Sequence, residues 1–149
     1  MFIGRQSELA ELEKRWQSGT FEFGVVYGTR RIGKTTLLQE FVKDKNAFYF
    51  QARKADEKDN LTAFSREFRK SRSLDEHLQY DSFDSAFDSI AEYAAKQRMI
   101  LVIDEIAYLC TKSKALLLYT ENMSYQYVYQ SNEHLSNVDF PIVSALIFS

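Results

Sequence analysis

Residues 28–35 read GTRRIGKT, which matches the pattern G-x4-G-K-[ST]. The aromatic and β-branched run FEFGVVY precedes the match at 21–27, and the helical run TTLLQEFVKDK follows from residue 35. Glycines let such a loop curl until its backbone N–H groups point inward, at the positive end of the next helix, where phosphate oxygens bind. The stretch therefore predicts a phosphate-binding loop between a strand and a helix.

Two side chains of this loop have specific chemistry. Lys34 is expected to reach the β- and γ-phosphates of a nucleotide, and Thr35 to place its hydroxyl on Mg²⁺. The other loop residues expected to line the phosphates are Gly28, Thr29, Ile32 and Gly33.

A second motif is MILVIDEIAYL at 99–109. Its unbroken apolar run predicts a strand buried on both faces, which ends at Asp104 and Glu105. Ligands of a parallel sheet bind at the carboxyl ends of its strands, so Asp104 is expected to hold Mg²⁺ through water. Glu105, one residue on, is expected to polarise an attacking water as a general base. Two ordinary solvated carboxylates at a strand end are the alternative.

Apolar spacing predicts the remaining elements. A helix is expected at 6–17, a strand at 47–52, a helix after Asn60 as its N-cap and another from near Ser82. Strands that alternate with helices indicate an α/β fold with a mainly parallel sheet. We expect its parallel strands near 22–27, 47–52 and 99–103.

Composition limits the class of protein. The chain has 149 residues, 45% of them apolar, which suits one globular domain. A net charge of −2 gives no global indication of nucleic-acid binding. The single cysteine excludes an internal disulfide framework, and the N-terminus shows no apolar signal region, so a cytoplasmic protein is expected. No apolar run near the middle of the chain is long enough to cross a bilayer.

Residues 1–116 resemble the mostly archaeal ATPases of the AAA+/STAND branch of P-loop NTPases. Three boxes carry the likeness: FIGRQSELAEL at 2–12, VYGTRRIGKTTL at 26–37 and LVIDEIAYL at 101–109. The resemblance implies a three-layer sandwich with a mainly parallel sheet, and hydrolysis of ATP with Mg²⁺. The two motifs are then the Walker A and Walker B sequences of that class.

The resemblance also implies further site residues. The opening box is expected near the adenine, or it is only the start of a helix; its candidate base contacts are Phe2, Ile3, Gly4 and Arg5. Thr36 is expected near the α-phosphate. Arg30 and Arg31 would meet phosphate or a neighbouring chain, or remain solvated. ATP is the expected partner. Self-association or a protein partner is left open, DNA is expected only through domains absent here, and no membrane contact is expected.

The last part of the chain has a different composition. All 19 Lys and Arg residues lie within 1–114. This break predicts two parts: 1–116, the N-terminal part of an ATPase domain, and 117–149, a divergent tail from a truncated or frame-shifted gene. In the family a strand ending in a polar sensor residue lies between the two motif strands, and a helical lid comes later. The sheet is therefore expected to be incomplete at the C-terminus.

Two outcomes are open for this vacant position in the sheet. It stays empty or badly filled, or 142–148 enters it parallel to its neighbours and brings Ser149 near Asp104. We expect 142–148 to be the only part of the tail that pairs with the sheet.

Three functions remain open at this point. The first is an ATPase, the second a non-catalytic remnant with weak or no nucleotide binding, and the third a small kinase. Glu105 favours an ATPase over a kinase because it supplies a base for water. The missing lid favours the remnant.

Overall fold

Strands and helices alternate up to residue 110, except that two consecutive helices separate the second and third strands, as the sequence predicts. The computed structural model describes residues 4–19, 22–28, 33–110, 128–130 and 142–148. Its helices are α1 (Gln6–Gln17), α2 (Lys34–Val42), α3 (Glu57–Arg72), α4 (Phe83–Lys96) and α5 (Ala107–Cys110). Its strands are β1 (Glu22–Gly28), β2 (Ala47–Gln51), β3 (Ile100–Asp104), β4 (Val128–Gln130) and β5 (Ile142–Phe148). The predicted α/β class is confirmed.

The strands form one sheet in the order β2-β3-β5-β1-β4. β2 and β3 are parallel neighbours, in a register that pairs Ala47 with Ile100 and Gln51 with Asp104. β5 lies between the two motif strands and is antiparallel to both. β1, β2 and β3 consequently run in one direction, so their carboxyl ends share one edge of the sheet.

The segment 142–148 does occupy the position between the motif strands, but the expected parallel direction is wrong. Phe148 pairs with Ile100, at the end of β3 opposite Asp104, and Ile142 pairs with Gly28. β4 is parallel to β1 and ends beside Tyr27, so the chain is already at the edge where β5 begins. A parallel entry would need a crossover back to the other edge. Ser149 lies outside the described residues.

β4 also corrects the expectation that only 142–148 of the tail pairs with the sheet. Its three residues pair with Val25, Val26 and Tyr27 of β1. The rest of 111–141 lies outside the described residues.

Alternate residues of β2 and β3 pack into two separate apolar clusters. Ile100 and Val102 join Leu12 of α1 and the apolar residues of α2, and Tyr49 packs against this cluster. Leu101 and Ile103 join Phe48 and Phe50 in the other cluster, with the aromatic residues of α3 and α4. Because successive strand residues point to opposite faces, α1 and α2 cover one face of these strands, and α3 and α4 the other. In the described part of the chain, no helix has the length and apolar character needed to cross a bilayer.

The start of α3 differs from the prediction. Its N-cap is Asp56, whose carboxylate accepts the backbone N–H of Asp59, and the predicted cap Asn60 lies inside the helix. Asn60 is buried, and its side-chain amide exchanges hydrogen bonds with the backbone N–H and carbonyl of Arg53. Both residue types suit a helix start, but the earlier one caps the helix while the later one secures the segment after β2. The predicted start of α4 at Ser82 is confirmed, with a capping box to Ser85.

Phe64 holds the larger cluster together and provides a test of it. It is fully buried, and its ring centroid lies 5.2 Å from that of Phe48, 5.0 Å from that of Phe50 and 5.6 Å from that of Phe83. We expect Phe64→Ala to lower the free energy of unfolding by about 3–5 kcal/mol in urea titrations. The matched control is Leu74→Ala at an exposed position, which should change it by less than about 0.5 kcal/mol. Equal effects of the two substitutions would contradict this core.

Candidate functional site

Gly33 and Lys34 mark the point where the glycine-rich loop becomes α2. Gly33 is the N-cap, with φ of +78°, and its carbonyl accepts the N–H of Leu37 at 2.9 Å. An added Cβ would meet no atom within 4 Å, so the backbone angle rather than lack of space favours glycine here. The left-handed turn delivers Lys34 and Thr35 as the first two residues of the helix.

Thr35 and Asp104 connect the two sequence motifs directly. Asp104 ends β3 on the face it shares with Ile100 and Val102, which is the face that α2 covers. The Thr35 hydroxyl donates to Asp104 Oδ2 at 2.8 Å, across 69 positions of sequence. Asp104 is only 1% exposed, so this contact is shielded from water. The structure thus brings together the two residues predicted to hold Mg²⁺, while that role stays a prediction.

Tyr49 is a member of this site that the sequence reasoning missed. Its phenol donates to the same Oδ2 of Asp104, at 2.5 Å. Burial, followed by the hydrogen bond to Asp104, raises the pKa of Tyr49 above its ordinary value, so the hydroxyl keeps its proton. Tyr49 could be found by combining two signals, the alternation of side chains along β2 and the register between β2 and β3. Tyr49 lies on the same face as Asp104, two residues before the position of β2 that pairs with Asp104.

Glu105 adopts a backbone conformation that is rare for its residue type. Its φ is +59°, in the left-handed region, and its N–H donates to Asp104 Oδ1 at 3.0 Å. Its carbonyl accepts the N–H of Tyr108 at 3.0 Å. Non-glycine residues in this region carry strain that the surrounding structure must offset, and such residues concentrate at functional sites. Glu105 is half-buried.

The electrostatics of Lys34 show which charged groups surround it. Lys34 is buried, and burial lowers its pKa below the ordinary value. The carboxylates of Glu105 and Asp104 act in the opposite direction, while the positive charge of Arg5 lowers this pKa further. Both predicted acids and the arginine of the opening box therefore lie within electrostatic reach of the lysine.

The remaining predicted site residues have less defined surroundings. Gly28 ends β1, Thr36 is exposed on α2, and Gly4, with φ of +96°, stands two residues before α1. Six predicted residues lie outside the described part of the chain: Phe2, Ile3, Thr29, Arg30, Arg31 and Ile32.

The donor set of the site suits one particular kind of metal binding. Among the described residues, no group of three or more His, Cys, Asp or Glu side chains could hold a metal ion by itself. Mg²⁺ seldom needs such a cage, since it keeps several waters and uses one or two protein oxygens together with substrate phosphates. The Thr35 hydroxyl beside the Asp104 carboxylate fits that pattern.

Comparison with known proteins defines the class. The chain belongs to a family of ATPase domains found predominantly in Archaea, whose model matches residues 2–140. The resemblance to mostly archaeal ATPases is thereby confirmed.

Two relatives come from Methanocaldococcus jannaschii. The uncharacterized protein MJECL04 is 33% identical over 117 residues, which cover 78% of this chain and 24% of that protein. This chain thus spans about a quarter of that relative's length. The uncharacterized ATP-binding protein MJ0423 is 40% identical over 45 residues, 30% of this chain and 76% of that protein. No significant match to a solved structure was found.

The positive φ of Glu105 yields a test of backbone strain. Glu105→Ala and Glu105→Gly both remove the carboxylate, and they differ only in the Cβ that the left-handed region disfavours by about 1–2 kcal/mol. Glycine loses roughly 0.5–1 kcal/mol more backbone entropy on folding. We therefore expect Glu105→Gly to be the more stable of the two, by about 0.5–1 kcal/mol in thermal and urea unfolding.

In the control, a change from alanine to glycine is expected to lower the stability rather than raise it. Ala91 is exposed within α4, where Ala91→Gly should cost about 1 kcal/mol. A Glu105→Gly variant that is less stable than Glu105→Ala would show that the residue is not strained.

Proposed function

We propose that this chain binds Mg²⁺-ATP at the junction of its two motifs, as part of an AAA+-like P-loop ATPase with a three-layer sandwich fold. The observation that carries the proposal is the hydrogen bond from Thr35 to the buried Asp104, next to the buried Lys34. Family membership and the ATP-binding description of one relative support the same conclusion. The part that binds the nucleotide would be 1–116, and 117–149 would be a divergent tail that contributes β4 and β5 to the sheet.

Lys34 would balance the charge of the phosphates. Its burial disfavours the protonated form, and the negative charge of a bound polyphosphate would favour that form. The backbone of 28–35 would supply N–H donors at the start of α2, with Thr36 near the α-phosphate. Gly4 and Arg5 would approach the nucleotide from the opening box, as the charge of Arg5 on Lys34 supports.

Thr35 and Asp104 would hold the metal in different ways. A Thr35 hydroxyl whose hydrogen goes to Asp104 offers oxygen lone pairs to a cation, while Asp104 would act through water. When bound, Mg²⁺ supplies charge neutralisation at the β- and γ-phosphates.

Glu105 would serve as the base in hydrolysis. Its carboxylate would take a proton from water as the water oxygen attacks the γ-phosphorus in line. The bond to the β-phosphate oxygen then breaks, and ADP and phosphate are released. The strained backbone at Glu105, secured by Asp104 Oδ1, supports a positioned rather than a merely solvated carboxylate.

One observation favours a second candidate, a nucleotide-binding chain without turnover. β5 lies between the motif strands, where the family is expected to have a strand ending in a polar sensor. β5 begins at Ile142, which pairs with Gly28, and ends beside Ile100. Its carboxyl end is therefore remote from Asp104. The carboxyl end of β5 would then bring no polar residue to the site, where hydrolysis is expected to use one.

Binding is tested by Lys34→Met, which keeps the length of the side chain and removes its charge. We expect a loss of Mg²⁺-ATP affinity of roughly 10–100-fold in calorimetry, because a hydrogen bond to a charged group contributes about 1.5–3 kcal/mol. The unfolding free energy without nucleotide should not fall, since burial disfavours the lysine charge. Lys43→Met, exposed just past the end of the same helix, is the control that keeps full affinity. Equal affinities for all three proteins would place the nucleotide elsewhere.

Hydrolysis is tested by Glu105→Gln. The amide keeps the shape but cannot accept the proton, so phosphate release should fall by about 10²-fold or more while ATP affinity is retained. Glu76→Gln, at an exposed position in the turn after α3, should leave both unchanged. Undiminished phosphate release in Glu105→Gln would assign the base to another residue. ATP binding without release in the parent would favour the second candidate.

A further inference from the structure

A single carboxylate oxygen at the site receives two hydroxyl groups. Asp104 Oδ2 accepts Thr35 Oγ1 at 2.8 Å and the Tyr49 phenol at 2.5 Å. Thr35 comes from the start of α2 and Tyr49 from the middle of β2, so the oxygen is held from two separate elements. Its partner Oδ1 accepts the N–H of Glu105.

The hydroxyl of Tyr49 is not explained by packing alone. β2 contains three aromatic residues: Phe48 and Phe50 lie in the cluster beneath α3 and α4, and Tyr49 packs on the other face. A phenylalanine would supply the same ring to that face. The hydroxyl is the part that reaches the carboxyl end of β3, since Tyr49 pairs with Val102 and Asp104 lies two residues further along.

The burial of Asp104 makes this donor difficult to replace. A solvated carboxylate that loses a hydrogen bond gains one from water, but Asp104 is 1% exposed. Removal of the phenol hydroxyl would therefore leave Oδ2 with one hydroxyl donor fewer and the carboxylate less firmly oriented.

We propose that Tyr49 is a positioning residue for Mg²⁺. Its hydroxyl fixes Asp104 Oδ2 in the orientation that receives the Thr35 hydrogen, and this keeps the Thr35 oxygen available to the cation. The inference rests on the proposed function, because it concerns the metal of the same nucleotide site. Residues that orient metal-binding groups in this way affect metal affinity about 10–100-fold when they are replaced.

The test is Tyr49→Phe, with ATP affinity measured by calorimetry once with excess Mg²⁺ and once with EDTA. We expect the gain in affinity that Mg²⁺ provides to shrink by about 10–100-fold, while the affinity in EDTA stays within about twofold of the parent. A residue needed only for folding would lower both affinities together.

Tyr80→Phe is the matched control. Tyr80 is buried, whereas Tyr49 is partly buried, and the Tyr80 hydroxyl shares a hydrogen bond of 2.9 Å with Ser89, away from the site residues. It loses the same atom, but its bond is to a neutral hydroxyl, which contributes less than a bond to a carboxylate, so Tyr80→Phe should lower the melting temperature no more than Tyr49→Phe does. Tyr80→Phe should keep the full effect of Mg²⁺.

The outcomes distinguish a failure of the Tyr49 positioning role from a failure of the proposed Mg²⁺-ATP binding. If the parent binds Mg²⁺-ATP more tightly than ATP in EDTA and Tyr49→Phe keeps that difference, the positioning role is overturned and the proposed function stands. Equal losses with and without Mg²⁺, or the same loss in Tyr80→Phe, also overturn it. A parent that binds no nucleotide under either condition overturns both.

Discussion

The hydrogen bond between Thr35 and Asp104 is the contact on which the site depends. It joins the first turn of α2 to the carboxyl end of β3, and no strand pairing links the two motif strands directly. Apolar packing of Leu37, Leu38 and Phe41 against Ile100 and Val102 sets the distance between these elements. The polar contact then fixes their alignment, since a buried carboxylate must find its donors within the protein.

The same small region carries two features that cost free energy. Lys34 is a buried cation whose charged form is disfavoured, and Glu105 holds a left-handed backbone. Neither feature stabilises the fold, so packing elsewhere must offset both. Aromatic side chains of α3, α4 and β2 belong to the larger of the two apolar clusters, on the face of β3 opposite the Asp104 side chain. Where a fold follows the usual backbone and burial preferences except at one place, that place is typically a functional site.

Sequence reasoning succeeded where one local pattern determines the outcome. An unbroken apolar run located β3. The rule that carboxyl ends of parallel strands share one edge then predicted Asp104 near the loop that ends at Thr35. It failed where two features compete or where partners are distant. Asp56 and Asn60 both suit a helix start, and only packing decides which of them caps α3. Tyr49 was missed because neither strand's own sequence determines the register between β2 and β3. The direction of β5 was predicted wrongly because it depends on where the chain leaves β4.

The position of β5 has a consequence for the order in which this sheet forms. The partners of β1 are β4 and β5, and the pairing of Glu22 with Phe148 joins residues that lie far apart in the sequence. β2 and β3 also lie far apart in sequence, but they can pair before β4 and β5 are made. Contacts between such distant residues close large loops and slow folding. During synthesis β1 would precede both of these partners, so its two edges would stay unpaired until β4 and β5 are made, and unpaired edges invite association with other chains.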